Sequence, residues 1–184
     1  AAGVAGTVNW NNVLGFDDVS DDIVMDVMGV PGDSGVEVTW FAETTWSSDG
    51  RGEDNNDAPP GDDYNLMLGY LDTTDVSVTE VDVSSLPAEV SGGFDVVVYV
   101  LGGVLGRGGT YTLTAGDTEI IQENIQTSIF EGPYIEGAEG NYLLFEGLTG
   151  DSFRLEAMAT TTALFRAPLN AIEICATGEC LPGP

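Results

Sequence analysis

The residues best suited to chemistry in this chain are carboxylates. From Ser47 to Asp63 it reads Ser-Ser-Asp-Gly-Arg-Gly-Glu-Asp-Asn-Asn-Asp-Ala-Pro-Pro-Gly-Asp-Asp. Hard oxygen donors at this density are what calcium takes, typically about six to eight at a time. Asp49, Asp54, Asn56, Asp57 and Asp62 are the candidate metal ligands, and a calcium ion among them would relieve local repulsion and order the loop. The spacing departs from an EF-hand, because no Gly follows the Asn-rich run at the required position. Two other readings stand beside it: a solvated acidic loop, and a loop ordered by a neighbouring subunit. A second acidic cluster, Asp17, Asp18, Asp21 and Asp22, offers the same chemistry.

Aromatic residues flank both acidic stretches. Sugar rings stack on aromatic platforms while amides orient hydroxyls, so Trp46, Tyr64, Trp10 and Asn12 are the candidate ligand-binding residues. Trp40 falls in phase with Val36 and Val38 and belongs to the core. Trp46 is the better candidate for a ligand or interface role, against the ordinary reading of packing at a strand end.

The bulk numbers exclude more than they identify. The 184 residues include 31 Asp plus Glu, four Arg, no Lys and no His, for a formal net charge of −27. A Walker-type phosphate loop needs Lys, a serine or cysteine triad ordinarily needs His, and nucleic acid needs a cationic face. Enzyme chemistry survives mainly as paired carboxylates of the glycosidase kind, and with 31 acids some pair reaches a suitable separation by chance. The expectation is therefore a chain that is not an enzyme. At 42% hydrophobic residues it has the apolar content of a folded body, so the acids coat its surface. Such a coat suits a saline or calcium-rich exterior.

No run of about 20 apolar residues exists to span a bilayer, so no membrane insertion is expected. Ala1 to Gly6 reads as a mature start after signal cleavage. Cys175 and Cys180 are expected to form a short local disulfide, consistent with an extracellular location. Each Arg, scarce in so anionic a chain, is expected to pair with carboxylates.

These groups must be positioned by strands, since helical periodicity is almost missing and short apolar runs are punctuated by Gly, Asp and Asn. The fold class is all-β, an antiparallel, jelly-roll-like β-sandwich of about ten strands in a single domain over 1–184, with the acidic loop 47–63 and a Cys-bearing tail 175–184. Val36, Val38, Trp40 and Ala42 share one face of a strand. Phe94 to Leu101 is apolar on both faces after Asp95, the mark of a central strand covered from both sides. In Val76 to Val83 the apolar phase shifts around Thr79-Glu80-Val81, which suggests a β-bulge or a strand changing sheets. Strands are also expected at 111–115, 119–122, 142–146, 153–159 and 170–174, with Val8 to Leu14 as an edge strand able to add to a neighbour's sheet. Gly102 to Gly109 superficially resembles a nucleotide-binding turn, but a strand follows it rather than a helix, so it is read as a hairpin loop.

The C-terminal third, from Gly140-Asn141-Tyr142-Leu143-Leu144-Phe145 through Gly147-Leu148-Thr149-Gly150-Asp151-Ser152-Phe153 to Arg166-Ala167-Pro168-Leu169-Asn170-Ala171-Ile172-Glu173-Ile174, resembles the end of malectin-like and galactose-binding-like jelly rolls. It is also similar to exported β-sandwich domains that precede PEP-CTERM-type sorting signals, and Trp10-Asn11-Asn12 with Tyr99, Arg107 and Tyr111 extend that likeness. The resemblance implies an extracellular sandwich from families that bind glycans or build surface matrix. The expected function is a non-catalytic surface or matrix protein whose partners are copies of itself or extracellular polysaccharide. A calcium-assisted carbohydrate-binding module is the alternative, and a glycoside hydrolase the third reading.

Overall fold

The computed structural model describes residues 1–20, 34–160 and 164–180. In chain order the elements are β1 (Asp17–Ser20), β2 (Glu37–Phe41), β3 (Thr44–Ser47), β4 (Asp49–Gly50), β5 (Glu53–Asp54), α1 (Asp62–Leu68), β6 (Gly69–Asp72), β7 (Val78–Ser84), α2 (Ala88–Ser91), β8 (Phe94–Tyr99), β9 (Gly108–Ala115), β10 (Thr118–Ile125), β11 (Tyr142–Leu148), β12 (Phe153–Ala159) and β13 (Ala171–Ala176). Among the described residues the strand ladders are antiparallel, forming a six-stranded sheet β1-β2-β7-β12-β9-β10, a three-stranded sheet β11-β8-β13 and two two-stranded sheets, β3-β6 and β4-β5. The all-β antiparallel sandwich is thus the fold.

Alternation fixes which face each strand buries. Along β2 and its two flanking residues, Val36, Trp40 and Ala42 point inward while Glu37 and Phe41 face solvent. On β7, Thr79, Val81 and Val83 are buried and the residues between them are not. Val36, Trp40, Val81 and Val83, with Tyr111, Leu113, Leu155 and Ala157, meet Val96, Val98, Leu143 and Phe145 of the smaller sheet in the main core. The reverse face of the smaller sheet carries Val97, Tyr99, Tyr142 and Leu144, covered by Met67 of α1, Phe130 and Cys180 in a second core. Strand β8 is therefore buried along its whole length. Two layers cover it, which is why its sequence is apolar on both faces. Asp95, the exception, accepts from the Gly147 and Gly178 backbone amides at 2.8 and 2.6 Å, so its burial is compensated.

Several expectations change. The Thr79-Glu80-Val81 bulge is absent, because β7 pairs in unbroken register with β2 and β12 and Thr79 simply occupies an inward position. The irregularity lies in β11, between Phe145 and Leu148. Val8 to Leu14 adopts no strand. The Gly102 to Gly109 stretch is not a hairpin loop: it carries the chain from β8 in one sheet to β9 in the other. Its last glycines are demanded by close packing, since a Cβ on Gly108 would stand 2.0 Å from the Asn124 carbonyl oxygen and one on Gly109 2.2 Å from that of Met158. The acidic loop is partly ordered by β4, β5 and the start of α1. The expected disulfide joins Cys175 and Cys180, with Cα atoms 5.2 Å apart. Asp21, Asp22 and the last residues of the tail lie outside the described residues.

Candidate functional site

The acidic loop folds against the two-stranded β3-β6 sheet. Ser48 N–H donates to the Leu68 carbonyl and Asn55 N–H to that of Ser48, which ties the loop to the end of α1. On its outer side Trp46 is 36% exposed, and the Arg51 guanidinium lies 5.3 Å from the centre of its ring. Asp49, two residues away, accepts from the Tyr64 hydroxyl at 2.6 Å, and that bond is the first cause holding the phenol above its ordinary pKa. Trp46, Arg51, Asp49 and Tyr64 therefore line one surface strip.

The remaining candidates lie elsewhere or turn away. Trp10 packs edge-on against Tyr99, its indole N–H donating to the Ala2 and Thr7 carbonyls, at the second core. Asn12 is exposed in the irregular segment before β1. Asn56 is buried, its amide donating to the Tyr64 carbonyl at 3.0 Å. Asp62 accepts from the Ala1 amino group at 2.7 Å, while Asp54 and Asp57 face solvent. The proposed calcium ligands thus do not converge, and among the described residues no group of three or more His, Cys, Asp or Glu is placed to hold a metal.

Inside the loop lies a polar cluster that the sequence does not announce. Glu53 turns inward beneath the β8–β9 crossing, where Arg107 Nη1 stands 3.3 Å from its Oε2 and donates to the Tyr70 hydroxyl at 2.5 Å. Asp54 N–H and the Asn55 amide donate to the Gly103 and Gly102 carbonyls, so the acidic loop clasps the Gly-rich crossing. One residue beyond β6's Leu71, Asp72 is 3% exposed and faces Arg166 Nη1 at 3.5 Å. Arg166 also donates to the Thr73 carbonyl, and Ala167 N–H to the Thr73 hydroxyl. Burial pushes the Asp72 carboxyl up to about 6, against the pull of Arg166 and Arg107. Burial, reinforced by Asp72, pushes the Tyr70 phenol to about 12.

A third set fastens the N-terminal segment across the second core. The Tyr99 hydroxyl donates to Glu173 Oε2 at 2.7 Å and accepts from Val4 N–H at 2.8 Å. Thr7 donates to the other Glu173 oxygen. Tyr134 donates to Asp63 at 2.8 Å, and Gly3 N–H to the same oxygen at 3.1 Å. Burial holds both phenols protonated well above neutrality, so they act as donors to carboxylates. The one readable signal for this set is Glu173 itself, an acid between two isoleucines in a strand.

Of the four arginines, Arg107, Arg154 and Arg166 pair with Glu53, Asp82 and Asp72, while Arg51 lies over Trp46. No protein-family model matches the chain, and neither a curated protein nor a solved structure matches it.

Proposed function

We propose that this protein is a non-catalytic component of an extracellular surface or matrix, working through contact with copies of itself or with neighbouring polymers. The observation that carries this reading is the amount of large apolar side chain left in solvent on a body of charge −27: Leu14 and Val76 are 86% and 87% exposed, Val8 63% and Ile121 58%. The acidic coat keeps copies apart in dilute salt, and counterions or divalent cations lower that barrier so that apolar surfaces can meet. The disulfide and the resemblance to exported sandwiches support an external location. The buried ionisable groups support a structural role, since Asp72 faces Arg166 and Tyr99 is bonded to Glu173. Light scattering across salt concentrations, with calcium and with chelator, tests the proposal: association that grows with ionic strength is expected, and a strict monomer under every condition discards it.

The strip of Trp46, Arg51, Asp49 and Tyr64 favours a second reading, a carbohydrate-binding surface. The Arg51 guanidinium over the indole adds a hydrogen-bond donor beside the partly exposed ring. A glycan array with and without calcium tests it. Binding lost in Trp46→Ala with the fold intact would place this reading first, and silence across acidic and neutral polysaccharides removes it.

A further inference from the structure

We infer that the strip of Trp46, Arg51, Asp49 and Tyr64 takes an uncharged sugar, so that its ligand is a neutral polysaccharide and not an acidic one; this rests on the carbohydrate-binding reading and names the ligand class. Strands β4 and β5 are joined by only two residues, Arg51 and Gly52, since Gly50 pairs with Glu53. Both hold left-handed backbone, at φ 52° and 85°. Two-residue turns of that hand ordinarily carry Asn or Gly, because a Cβ is costly there. Arg51 occupies such a position and is exposed. Backbone strain of this kind persists where packing or function demands it.

The strained residue presents a guanidinium. Arg107, Arg154 and Arg166 each stand within 3.5 Å of a carboxylate, and among the described residues Arg51 is the one arginine that does not. It lies 5.3 Å from the centre of the Trp46 ring instead. Among the described residues its one hydrogen bond runs from Nη1 to the Thr45 carbonyl and is long, at 3.4 Å. Most of its five N–H donors are therefore open to a ligand.

Acceptors stand beside it. Asp49 and Asp54 are opposite one another across β4 and β5, and directly opposite residues of a ladder share a face. Asp49 is held by the Tyr64 hydroxyl at 2.6 Å and the Gly50 N–H at 2.7 Å, while Asp54 is exposed. A partly exposed indole, a set of N–H donors and two carboxylates complement a sugar. The aromatic ring meets its C–H face, and the charged groups meet its hydroxyl oxygens and protons.

Charge selects the class. One cation against two anions leaves the strip at a formal −1, on a body of −27. A uronate or sulfated sugar would bring its own anion within a screening length of both aspartates, about 10 Å at 0.1 M salt, and would gain one guanidinium for two carboxylates. An uncharged sugar meets no such opposition. Its hydroxyls donate to the aspartates in charge-assisted bonds, so the acids that repel an anionic glycan strengthen the hold on a neutral one.

An array of neutral polysaccharides (glucans, mannans, galactans and xylans) and acidic ones (alginate, pectate and hyaluronan) tests the inference. Binding should be confined to neutral members and unchanged between about 0.05 and 0.5 M NaCl, since the ligand has no charge to screen. On the best neutral polymer, Trp46→Ala should weaken binding at least about tenfold with unchanged circular dichroism. Arg51→Gly should also weaken it while raising the thermal midpoint, because Gly relieves the left-handed turn. A midpoint that falls together with binding makes the arginine structural and overturns its role. Preference for acidic polymers, lost in Trp46→Ala, overturns the neutral class and leaves the carbohydrate site standing. Silence across the array overturns both, and neutral binding that survives both substitutions refutes the assignment to this strip. Should Trp46→Ala fail to fold, Arg51→Gly decides alone, retained binding overturning the inference.

Discussion

Asp72 makes the stability of this protein fall as pH rises through the weakly acidic range. Its carboxyl is buried beneath the acidic loop with Arg166 at 3.5 Å, and burial outweighs the two arginines, lifting it from 3.8 to about 6. Below pH 3.8 the group is protonated in folded and unfolded chains alike. Between 3.8 and about 6 the unfolded chain releases its proton first, so the folded form loses ground as pH rises and levels off above about 7. A shift of about two units is worth about 3 kcal/mol. Asn at this position carries no charge at any pH and approximates the protonated carboxyl. Urea midpoints for the native chain and Asp72→Asn, at about pH 3.5 and pH 7.5 in high salt to screen the remaining acids, isolate the effect as a difference of differences. The variant should match the native chain in acid and be more stable by up to about 3 kcal/mol at the higher pH. A gap between the two proteins that stays constant to within about 1 kcal/mol across that range would refute the reasoning.

Three further outcomes follow from the packing. Arg107→Ala strips Glu53 and the Tyr70 hydroxyl of a partly buried partner and should cost about 3–5 kcal/mol. Arg154→Ala breaks only an exposed bidentate pair with Asp82 and should cost less than about 1 kcal/mol, and still less in salt; equal losses in denaturant titrations would contradict this contrast. Gly108→Ala drives a methyl group into the backbone of β10 and should abolish folding or cost several kcal/mol, whereas Gly116→Ala meets no atom within 4 Å and should cost about 1 kcal/mol from its φ of +56° alone; thermal midpoints read the order. Replacing both cysteines by serine opens a loop with sequence separation 5, worth about 2 kcal/mol by chain entropy, and a midpoint insensitive to reductant in the native protein would show the bond to be idle.

The legible parts of the fold are those written in local alternation. The two-faced apolar run of β8 and the inward Val36, Val38, Trp40 and Ala42 of β2 both emerge as read. Thr79 misleads because a hydroxyl sits on the buried face of β7, so a regular strand looks phase-shifted. Which sheet a strand joins is set by partners far along the chain, and the turn after β8 therefore looks like a hairpin when β9 in fact pairs with β12 and β10. The acidic loop reads as uniformly solvated donors, yet Glu53, Asn55 and Asn56 turn inward while Asp54 and Asp57 turn out. Neither composition nor spacing distinguishes these residues, because the distinction comes from Arg107, Gly102 and Tyr64 at long range.

Strand β8 finds both its neighbours downstream, at Tyr142 and Ala171. A nascent chain emerging from its N-terminus has already released the most water-averse ribbon it possesses before either flanking partner has been synthesised. Final assembly must wait for the last strand, and folding dominated by such distant pairings is slow. Until Tyr142–Leu148 and Ala171–Ala176 exist, the ribbon has no edge to pair with, so the smaller sheet cannot form piecewise from the N-terminal side.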